Sequence, residues 1–348
     1  MKRYTIKDIA EQAGVPLSTV SLVMNNNPRI SEATRQRVLE TIERLGYQPN
    51  RLARSLAWRR SQTIAVLLPQ LRHTFADVYF GEIISGIHDR ATKLGYKVML
   101  EVARAEFIES REYIQLYEQK VVDGMLFIGS NARHEFIREF AGSEYPFVLV
   151  NNYSREFDLN YVVSNYRYGA WQAANHLVRL GHRRIGFIAG GLNDIQTSRD
   201  IFDSFQQVLQ EHNITLEPTQ IVDGWLTEEG GRQATEQLLR AHGDLTAIFA
   251  LNDKMALGAL RKLSELGLRC PDDIALVGFD DIPAASFATP ALTTVRQPLY
   301  DIGKLACEHL IELIHGRASR VQEVVPVQLI VRESCGATKK SAVVTPVG

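Results

Sequence analysis

Short, continuously apolar runs alternate with longer amphipathic stretches over most of this 348-residue chain. TIAVLLP, YKVMLEV, DGMLFIG and PFVLVN come first, and RRIGFIAG, TAIFAL and DIALVGF repeat the pattern later. Continuous apolar strands separated by helices are typical of parallel sheets that helices cover on both faces. Because about 270 residues exceed what one core holds comfortably, we expect this body to form two lobes.

Two polar residues directly follow such runs, Asn252 after TAIFAL and Asp280 after DIALVGF. The carboxyl ends of parallel strands face a crevice in which ligands bind. We therefore expect both side chains at a ligand cleft. Asp280 could instead cap the turn that follows it.

Residues 5–25, TIKDIAEQAGVPLSTVSLVMN, are typical of a helix-turn-helix that lies in the major groove of DNA. Thr5 is a suitable N-cap, with Asp8 in the first turn. Gly14 supplies the turn, and Pro16 fits the first turn of the second helix, where its missing N–H costs nothing. The inner face of the first helix is apolar at helical spacing, with Ile6, Ile9, Ala10 and Ala13.

Two further helices complete this predicted head. In the second, Val20, Val23 and Met24 can face inward, which leaves Leu17, Ser18, Ser21 and Leu22 facing outward. A third helix begins after Ser31 and is expected to bury Val38, Ile42 and Leu45. An ordinary helical bundle without a role in DNA binding is the alternative.

Charge is distributed unevenly along the chain. Residues 1–60 contain 11 Lys/Arg and 5 Asp/Glu, a net charge of +6, whereas the rest contains 28 and 35, a net charge of −7. A basic head on an acidic body is expected when only the head binds phosphates. A chance run of charge on a solvated surface is the alternative.

The segment 47–57, YQPNRLARSLA, predicts a short helix after the head. Pro49 ends the third helix, and Asn50 can cap a new one. A helix this short is marginal alone in water, so we expect it to order only when something packs against it.

Head, hinge and body together resemble the lactose-repressor (LacI/GalR) family of transcription regulators, over nearly the whole chain. The matching motifs in the body are HLVRLGHRRIGFIAG (176–190), ALNDKMALGALRKLSELGLRCPDDIALVGFDDI (250–282) and PALTTVRQP (290–298). The resemblance implies an all-α helix-turn-helix DNA-binding head, joined by a hinge helix to an α/β two-lobe body that resembles periplasmic sugar-binding proteins.

The resemblance also implies domain boundaries. The head would span 1–46, the hinge helix and linker 47–61, the effector-binding and dimerisation domain 62–340, and the tail 341–348. Lobe one would hold 62–162 and 293–324, and lobe two 163–292 and 325–340.

By the same resemblance, the chain is expected to be a homodimeric repressor. A small-molecule effector between the lobes would control its affinity for double-stranded operator DNA. Base reading would fall on Leu17, Ser18 and Leu22, and hinge contacts on Asn50, Ala53 and Leu56. Positions near phosphates would be Thr5, Thr19, Ser21, Asn25, Ser31, Thr34 and Tyr47. Leu56 would enter the minor groove and kink the operator, or else pack on the body as a linker residue.

Leu22 departs from the family pattern, because many relatives carry arginine there. Arginine makes bidentate contacts to guanine, whereas leucine has no donor but can contact a thymine methyl group. We therefore expect half-sites that lack the relatives' guanine preference at that base pair.

The effector cleft implied by the resemblance is lined by Tyr79, Phe80, Ser130, Asn151, Trp225, Asn252, Asp280 and Gln297. An aromatic platform with amide and carboxylate groups suits a sugar, although Trp225 could instead belong to a lobe core. Relatives place an arginine where this chain has Ile201, and Arg199 is about 200° away on an ideal helix. A neutral carbohydrate is therefore expected, and an acidic ligand relying on that arginine is not.

Composition limits the remaining possibilities. Cys270, Cys307 and Cys335 have neither metal-ligand spacing nor a pairing pattern, which suits a reducing cytoplasm. Neither a signal peptide nor a membrane span is predicted, and we expect no cofactor and no metal. The tail has no leucine heptad, so assembly should stop at a dimer, with the helix from about Asp77 to Leu94 as a candidate surface.

Two other classes of function are the alternatives to a transcription regulator. Motifs for a nucleophile elbow, a zinc protease, a P-loop or a dinucleotide fold are absent, and adjacent carboxylates such as Asp280 and Asp281 normally diverge. We therefore expect no catalysis. A solute-binding module without a regulatory role is the second alternative, and the residues leave open whether the effector releases or promotes DNA binding.

Overall fold

A computed structural model describes residues 4–24, 27, 29–46, 60–70, 74–129 and 135–337. The chain divides into two compact units, Met1–Ser61 and Gln62–Gly348. Within these described ranges, no helix combines the length and the apolar character needed to cross a bilayer.

The first unit contains three helices among its described residues, α1 (Ile6–Ala13), α2 (Leu17–Met24) and α3 (Glu32–Leu45). The predicted cap of α1 is confirmed: the Thr5 N–H donates to the Asp8 carboxylate at 2.6 Å, and the Thr5 hydroxyl accepts from the Asp8 N–H. Gly14 ends α1 at φ 62°, a left-handed conformation that favours glycine. Pro16 lies just before α2 rather than within it, and its carbonyl accepts from the Thr19 N–H at 2.9 Å.

The core of this unit forms where the three helices meet. Its buried members are Ile9, Ala10, Ala13, Val20, Val23 and Val38. Ile42 and Leu45, which were expected to be buried, are only partly so. Thr41 is buried beside them, and its hydroxyl donates to the Arg37 carbonyl at 2.8 Å, which satisfies the group inside the helix.

Two six-stranded sheets form the framework of the second unit. The first sheet contains β1 (Thr63–Pro69), β2 (Lys97–Ala103), β3 (Gly124–Ile128), β4 (Phe147–Val150), β5 (Tyr161–Ser164) and β11 (Gln322–Val325). The second contains β6 (Ile185–Ala189), β7 (Ile221–Asp223), β8 (Ala247–Ala250), β9 (Ala275–Asp280), β10 (Thr293–Arg296) and β12 (Gln328–Ile330). Their orders are β11-β5-β4-β3-β1-β2 and β12-β10-β9-β8-β6-β7, and all pairings are parallel except β10 with β12.

Helices connect these strands. They are α4 (Val78–Lys93), α5 (Ala105–Glu109), α6 (Glu112–Glu118), α7 (Glu135–Arg138), α8 (Tyr166–Arg179), α9 (Gln196–Glu211), α10 (Glu228–Ala241), α11 (Asp253–Glu265), α12 (Pro283–Phe287) and α13 (Leu299–Ile314). Short 3-10 turns lie at Thr74–Ala76 and Pro218–Gln220.

Both faces of the first sheet are covered, as the continuous apolar runs predict. Ile64, Val66 and Leu68 join the core under α4 and α13, whereas Ala65 and Leu67 join the core on the opposite face. Alternate residues of β1 therefore feed two separate cores, which explains why no polar residue interrupts the strand.

The expected boundary between the lobes at residue 293 is wrong. Strand β10 pairs with β9 and β12 in the second sheet, so the chain returns to the first lobe only after Arg296. The Thr294 hydroxyl donates to the Asp253 carboxylate at 2.5 Å, which ties β10 further to the second lobe. The sequence TTVR predicts a strand, but it holds no information on which sheet the strand joins.

Glycines allow unusually close helix contacts in the first lobe. A Cβ at Gly86 of α4 would lie 2.0 Å from the Tyr300 carbonyl oxygen of α13. A Cβ at Gly303 of α13 would lie 2.1 Å from the Ile83 carbonyl oxygen of α4. The two backbones therefore approach each other through a reciprocal glycine contact.

We predict that Gly86→Ala destabilises the protein by about 1–3 kcal/mol, because its methyl group would overlap a backbone carbonyl and force α4 and α13 apart. Gly81→Ala is the matched control on the same helix, since its Cβ would meet no atom within 4 Å. This control should be neutral, or stabilising by up to about 1 kcal/mol, from helix propensity. Urea unfolding of the two variants tests the contact, and equal midpoints would contradict it.

Candidate functional site

The outward face of α2 in the first unit carries the predicted base-reading residues. Leu17 is 44% exposed and Leu22 is 36% exposed, and Ser18 is also exposed. Val20 and Val23 are buried on the opposite face. An exposed leucine pair on a short helix leaves this face available to contact the edges of DNA bases.

The residues predicted near phosphates occupy helix starts and the sides of α2. Thr5 and Ser31 are the N-caps of α1 and α3, and the Ser31 hydroxyl donates to that of Thr34 at 2.9 Å. Thr19 and Ser21 are half-buried on α2. Asn25, Tyr47, Asn50, Ala53 and Leu56, and with them the hinge helix, lie outside the described residues.

In the second unit, four of the predicted effector residues join in one chain of hydrogen bonds. The Asn151 side-chain amide donates to the Tyr79 hydroxyl and to the Gln297 side-chain carbonyl, each at 2.8 Å. The Gln297 amide donates in turn to the Asp280 carboxylate at 2.6 Å. Tyr79 and Asn151 belong to the first lobe and Asp280 to the second, so these hydrogen bonds connect the lobes.

Each of these four hydrogen-bonded residues lies at the start or the end of a helix or strand. Tyr79 is in the first turn of α4, Asn151 follows β4, Asp280 ends β9 and Gln297 follows β10. Asn151 and Asp280 have φ values of 52° and 124°. Non-glycine residues rarely adopt such conformations, and those that do are concentrated at binding and active sites.

Burial dominates the electrostatics of this region. It raises the pKa of the Asp280 carboxyl, and the neighbouring Asp253 carboxylate raises it further. Burial also raises the pKa of Asp253 to about 7. Lys254, on the same helix as Asp253, donates across the lobes to the Asp77 carboxylate at 2.7 Å.

The other predicted cleft residues have different surroundings. Phe80 is buried in the first-lobe core, with its ring edge-on to that of Tyr79. Trp225 is 61% exposed, which excludes the alternative that it belongs to a lobe core. Asn252 caps α11, and its amide donates to the Leu226 carbonyl at 3.3 Å, beside Trp225. Ser130 lies outside the described residues.

Asp253, rather than Asp280, accepts the hydrogen bond from the turn that follows β9. The Ile282 N–H donates to the Asp253 carboxylate at 2.9 Å, whereas Asp280 accepts from Gln297. In the part of the body that the structure describes, no group of three His, Cys, Asp or Glu side chains is placed to hold a metal ion.

Comparison with known proteins decides the family. Residues 5–50 match the family "Bacterial regulatory proteins, lacI family", and residues 174–335 match the "Periplasmic binding protein-like domain". The HTH-type transcriptional repressor CytR of Escherichia coli (strain K12) is 34% identical over 337 residues, 96% of each chain. This chain belongs to the LacI family.

Solved structures of transcription regulators agree over nearly the whole chain. A lac repressor dimer bound to operator and the anti-inducer ONPF is 30% identical, with a TM-score of 0.82 over 96% of this chain and 99% of that one. A complex of the transcriptional regulator CelR with cellobiose is 30% identical, with a TM-score of 0.73 over 95% and 100%. The predicted family and the predicted architecture of helix-turn-helix and two-sheet body are confirmed.

The position at which an arginine is expected from the resemblance holds a core residue in this chain. Ile201 is buried within the second lobe. Arg199 is half-exposed and pairs with Asp203 at 3.4 Å, one turn along the same helix. Ile201 therefore supplies no cation, and the Arg199 guanidinium pairs within its own helix.

Sequence reasoning missed several polar residues between the lobes. Asp200, Tyr153 and Arg155 form one such cluster, and the Tyr166 hydroxyl makes another contact, 3.4 Å from the Tyr79 hydroxyl. Tyr153 and Arg155 closely follow the apolar run PFVLVN, so their position after a strand could have indicated them. Asp200 has no comparable signal, since it lies within a helix.

Proposed function

We propose that this protein is a repressor that binds operator DNA through α2 and is controlled by a small molecule bound between the lobes. The observation that carries the proposal is the combination, in one LacI-family chain, of an unpacked outward face on α2 and a polar network between two sheets. The net charge of +6 on residues 1–60 supports the DNA-binding role. The relative CytR is named a repressor, which agrees with a function that is not enzymatic.

For the effector we propose a neutral carbohydrate. Trp225 offers an exposed ring beside the amide of Asn252, and Asn151, Gln297 and Asp280 offer paired donors and acceptors. Sugars need such a combination, because their apolar faces stack on aromatic rings while their hydroxyls require hydrogen-bond partners. The cellobiose complex of CelR supports the same ligand class.

Control of DNA binding follows from the contacts between the lobes. An effector that competes for Asn151 or Gln297 changes the angle between the lobes, and we propose that this change decides whether segment 50–57 orders on the operator. Coupling of this kind is reciprocal, so an effector that releases DNA binds more weakly to the DNA-bound protein.

We also propose a homodimer formed through α4 and the edge strand β2. A shallow surface between them is lined by Ile84, Ser85, His88, Asp89, Val98 and Leu100. Leu100 is 40% exposed although it lies on a strand, and Val78 and Leu94 extend the apolar surface at the two ends of α4. A second copy is the expected occupant, because a pseudo-palindromic operator requires two heads.

Leu22→Arg is predicted to change operator choice toward guanine at one base pair, with an effect of about 1–3 kcal/mol, because arginine adds two donors to the reading face. Ser18→Ala should alter preference at a neighbouring position. Leu39→Arg is the matched control, since Leu39 is an exposed leucine of α3. In vitro selection with the full-length variants measures both effects.

Wild-type protein that selects guanine at that position would overturn the assignment of Leu22. Wild-type protein that selects no sequence at all, and gives no gel shift with its own upstream DNA, would instead favour a solute-binding module without a regulatory role.

Asp280→Ala and Trp225→Ala are predicted to weaken effector binding by roughly tenfold or more, because each removes a hydrogen-bond partner or a stacking surface. A thermal-shift screen of sugars, nucleosides and amino acids identifies the ligand, and calorimetry on the variants measures the loss. Asp301→Ala, an exposed carboxylate of α13, is the control. A ligand that binds both cleft variants as tightly as wild type must occupy another site.

Leu100→Lys is predicted to shift the dimer towards monomer at micromolar concentration, because it places a charge in an apolar interface. Val324→Lys is the control, since Val324 is also exposed, on β11 at the opposite edge of the same sheet. Sedimentation velocity distinguishes the species. A stable wild-type tetramer, or equal dissociation of both variants, would contradict the proposed assembly.

A further inference from the structure

The Asp200 carboxylate of α9 is buried among cationic and polar donors. Only 4% of its side chain is exposed. One oxygen accepts from the Arg155 guanidinium at 2.5 Å and from the Gln196 amide at 3.3 Å, with the Arg167 guanidinium 3.7 Å away. The other oxygen accepts from the Tyr153 hydroxyl. The carboxylate is therefore fully paired inside the protein.

This cluster spans the two lobes beside the proposed effector site. Tyr153 and Arg155 follow β4 in the first lobe, only two and four residues after Asn151. Asp200 and Arg167 belong to the second lobe. Arg167 directly follows Tyr166, whose hydroxyl donates to the Asn151 carbonyl at 3.4 Å. A ligand in the cleft therefore meets the Asp200 cluster on one side.

We propose that Asp200 is a specificity-determining residue that excludes anionic effectors from this cleft. This inference rests on the proposed effector site and deepens it by naming the excluded ligand class. The Asp200 carboxylate already occupies the site between Tyr153, Arg155 and Arg167. Without it, these three side chains could bind the phosphate or carboxylate group of a ligand. Such groups are the preferred partners of paired guanidinium groups.

Two energetic costs produce the exclusion. An incoming anion has to break the contacts of Asp200 and leave a buried carboxylate without partners. It also has to approach that carboxylate, and like charges placed side by side repel each other. A neutral ligand meets neither cost, because it can bind next to the cluster without displacing Asp200.

The side chains of Arg155 and Arg167 are accessible to an anion from solvent. They are about half exposed, 52% for Arg155 and 49% for Arg167. Neutralising Asp200 therefore leaves two solvated cations and a phenol donor, which together resemble a phosphate-binding site. The variant Asp200→Asn keeps the size of the side chain, and Asp200→Ser leaves more space for an incoming anion.

The experiment is calorimetric titration of the full-length protein with inorganic phosphate. Asp200→Asn and Asp200→Ser should bind phosphate roughly tenfold or more tightly than wild type, because the like charge is gone. The gain should disappear in Asp200→Asn combined with Arg155→Gln. Asp244→Asn is the matched control, since Asp244 is an exposed carboxylate of the second lobe that pairs with Arg184, and it should behave as wild type does. Phosphate that binds to the basic residues 1–60 adds the same heat in all variants, because their sequence there is unchanged.

Unchanged phosphate affinity in both Asp200 variants would overturn the proposal, and so would a gain that persists without Arg155. A gel shift on the same preparations separates this outcome from the fate of the proposed function. If the wild-type protein does not bind operator DNA, the proposed regulatory function is wrong. The role of Asp200 is decided by the phosphate titration alone.

Discussion

One side-chain amide, that of Asn151, holds the centre of the body together. It is buried, donates to Tyr79 and Gln297, and accepts from the Ser164 N–H through its own carbonyl. Because this amide is buried, any water or ligand that replaces Gln297 beside it has to supply a hydrogen-bond acceptor. The left-handed backbone of Asn151 is a further cost that these contacts offset.

Charge is arranged differently on the two sides of this amide. On one side, Asp280 and Asp253 are buried, and the only cross-lobe cation contact described there joins Lys254 to Asp77. On the other side, Arg155 and Arg167 converge on a single carboxylate. A molecule that enters between the lobes therefore meets acidic groups at one end and an already neutralised basic cluster at the other. Both surroundings support the proposal of an uncharged polar effector.

Local patterns in the sequence predicted the elements well. Apolar runs indicated the strands, and Thr5 and Ser31 indicated the helix starts, because caps and periodicity depend on neighbouring residues. The position of residues after strands was equally informative for Asn252 and Asp280. Resemblance to a family, rather than spacing, supplied Tyr79, Asn151 and Gln297, and the structure joins these three directly.

Features that depend on distant partners were not predictable in this way. Strand β10 was assigned to the wrong lobe, since its sequence is compatible with either sheet. Asp200 escaped notice because its partner Arg155 lies 45 positions earlier in the chain. Phe80, expected in the cleft beside Tyr79, is buried in the first-lobe core with its ring edge-on to that of Tyr79, and its role in the cleft stays a prediction.

The reciprocal contact between Gly86 and Gly303 has a consequence for how the protein is made. The first lobe begins at residue 62, yet α13 and β11, which complete its core and its sheet edge, are encoded after most of the second lobe. During synthesis on the ribosome, the groove on α4 that receives α13 stays open until residues 299–325 have emerged. By then most strands of the second lobe have been synthesised. The first lobe is therefore completed late, and its apolar surface stays exposed to chaperones until then.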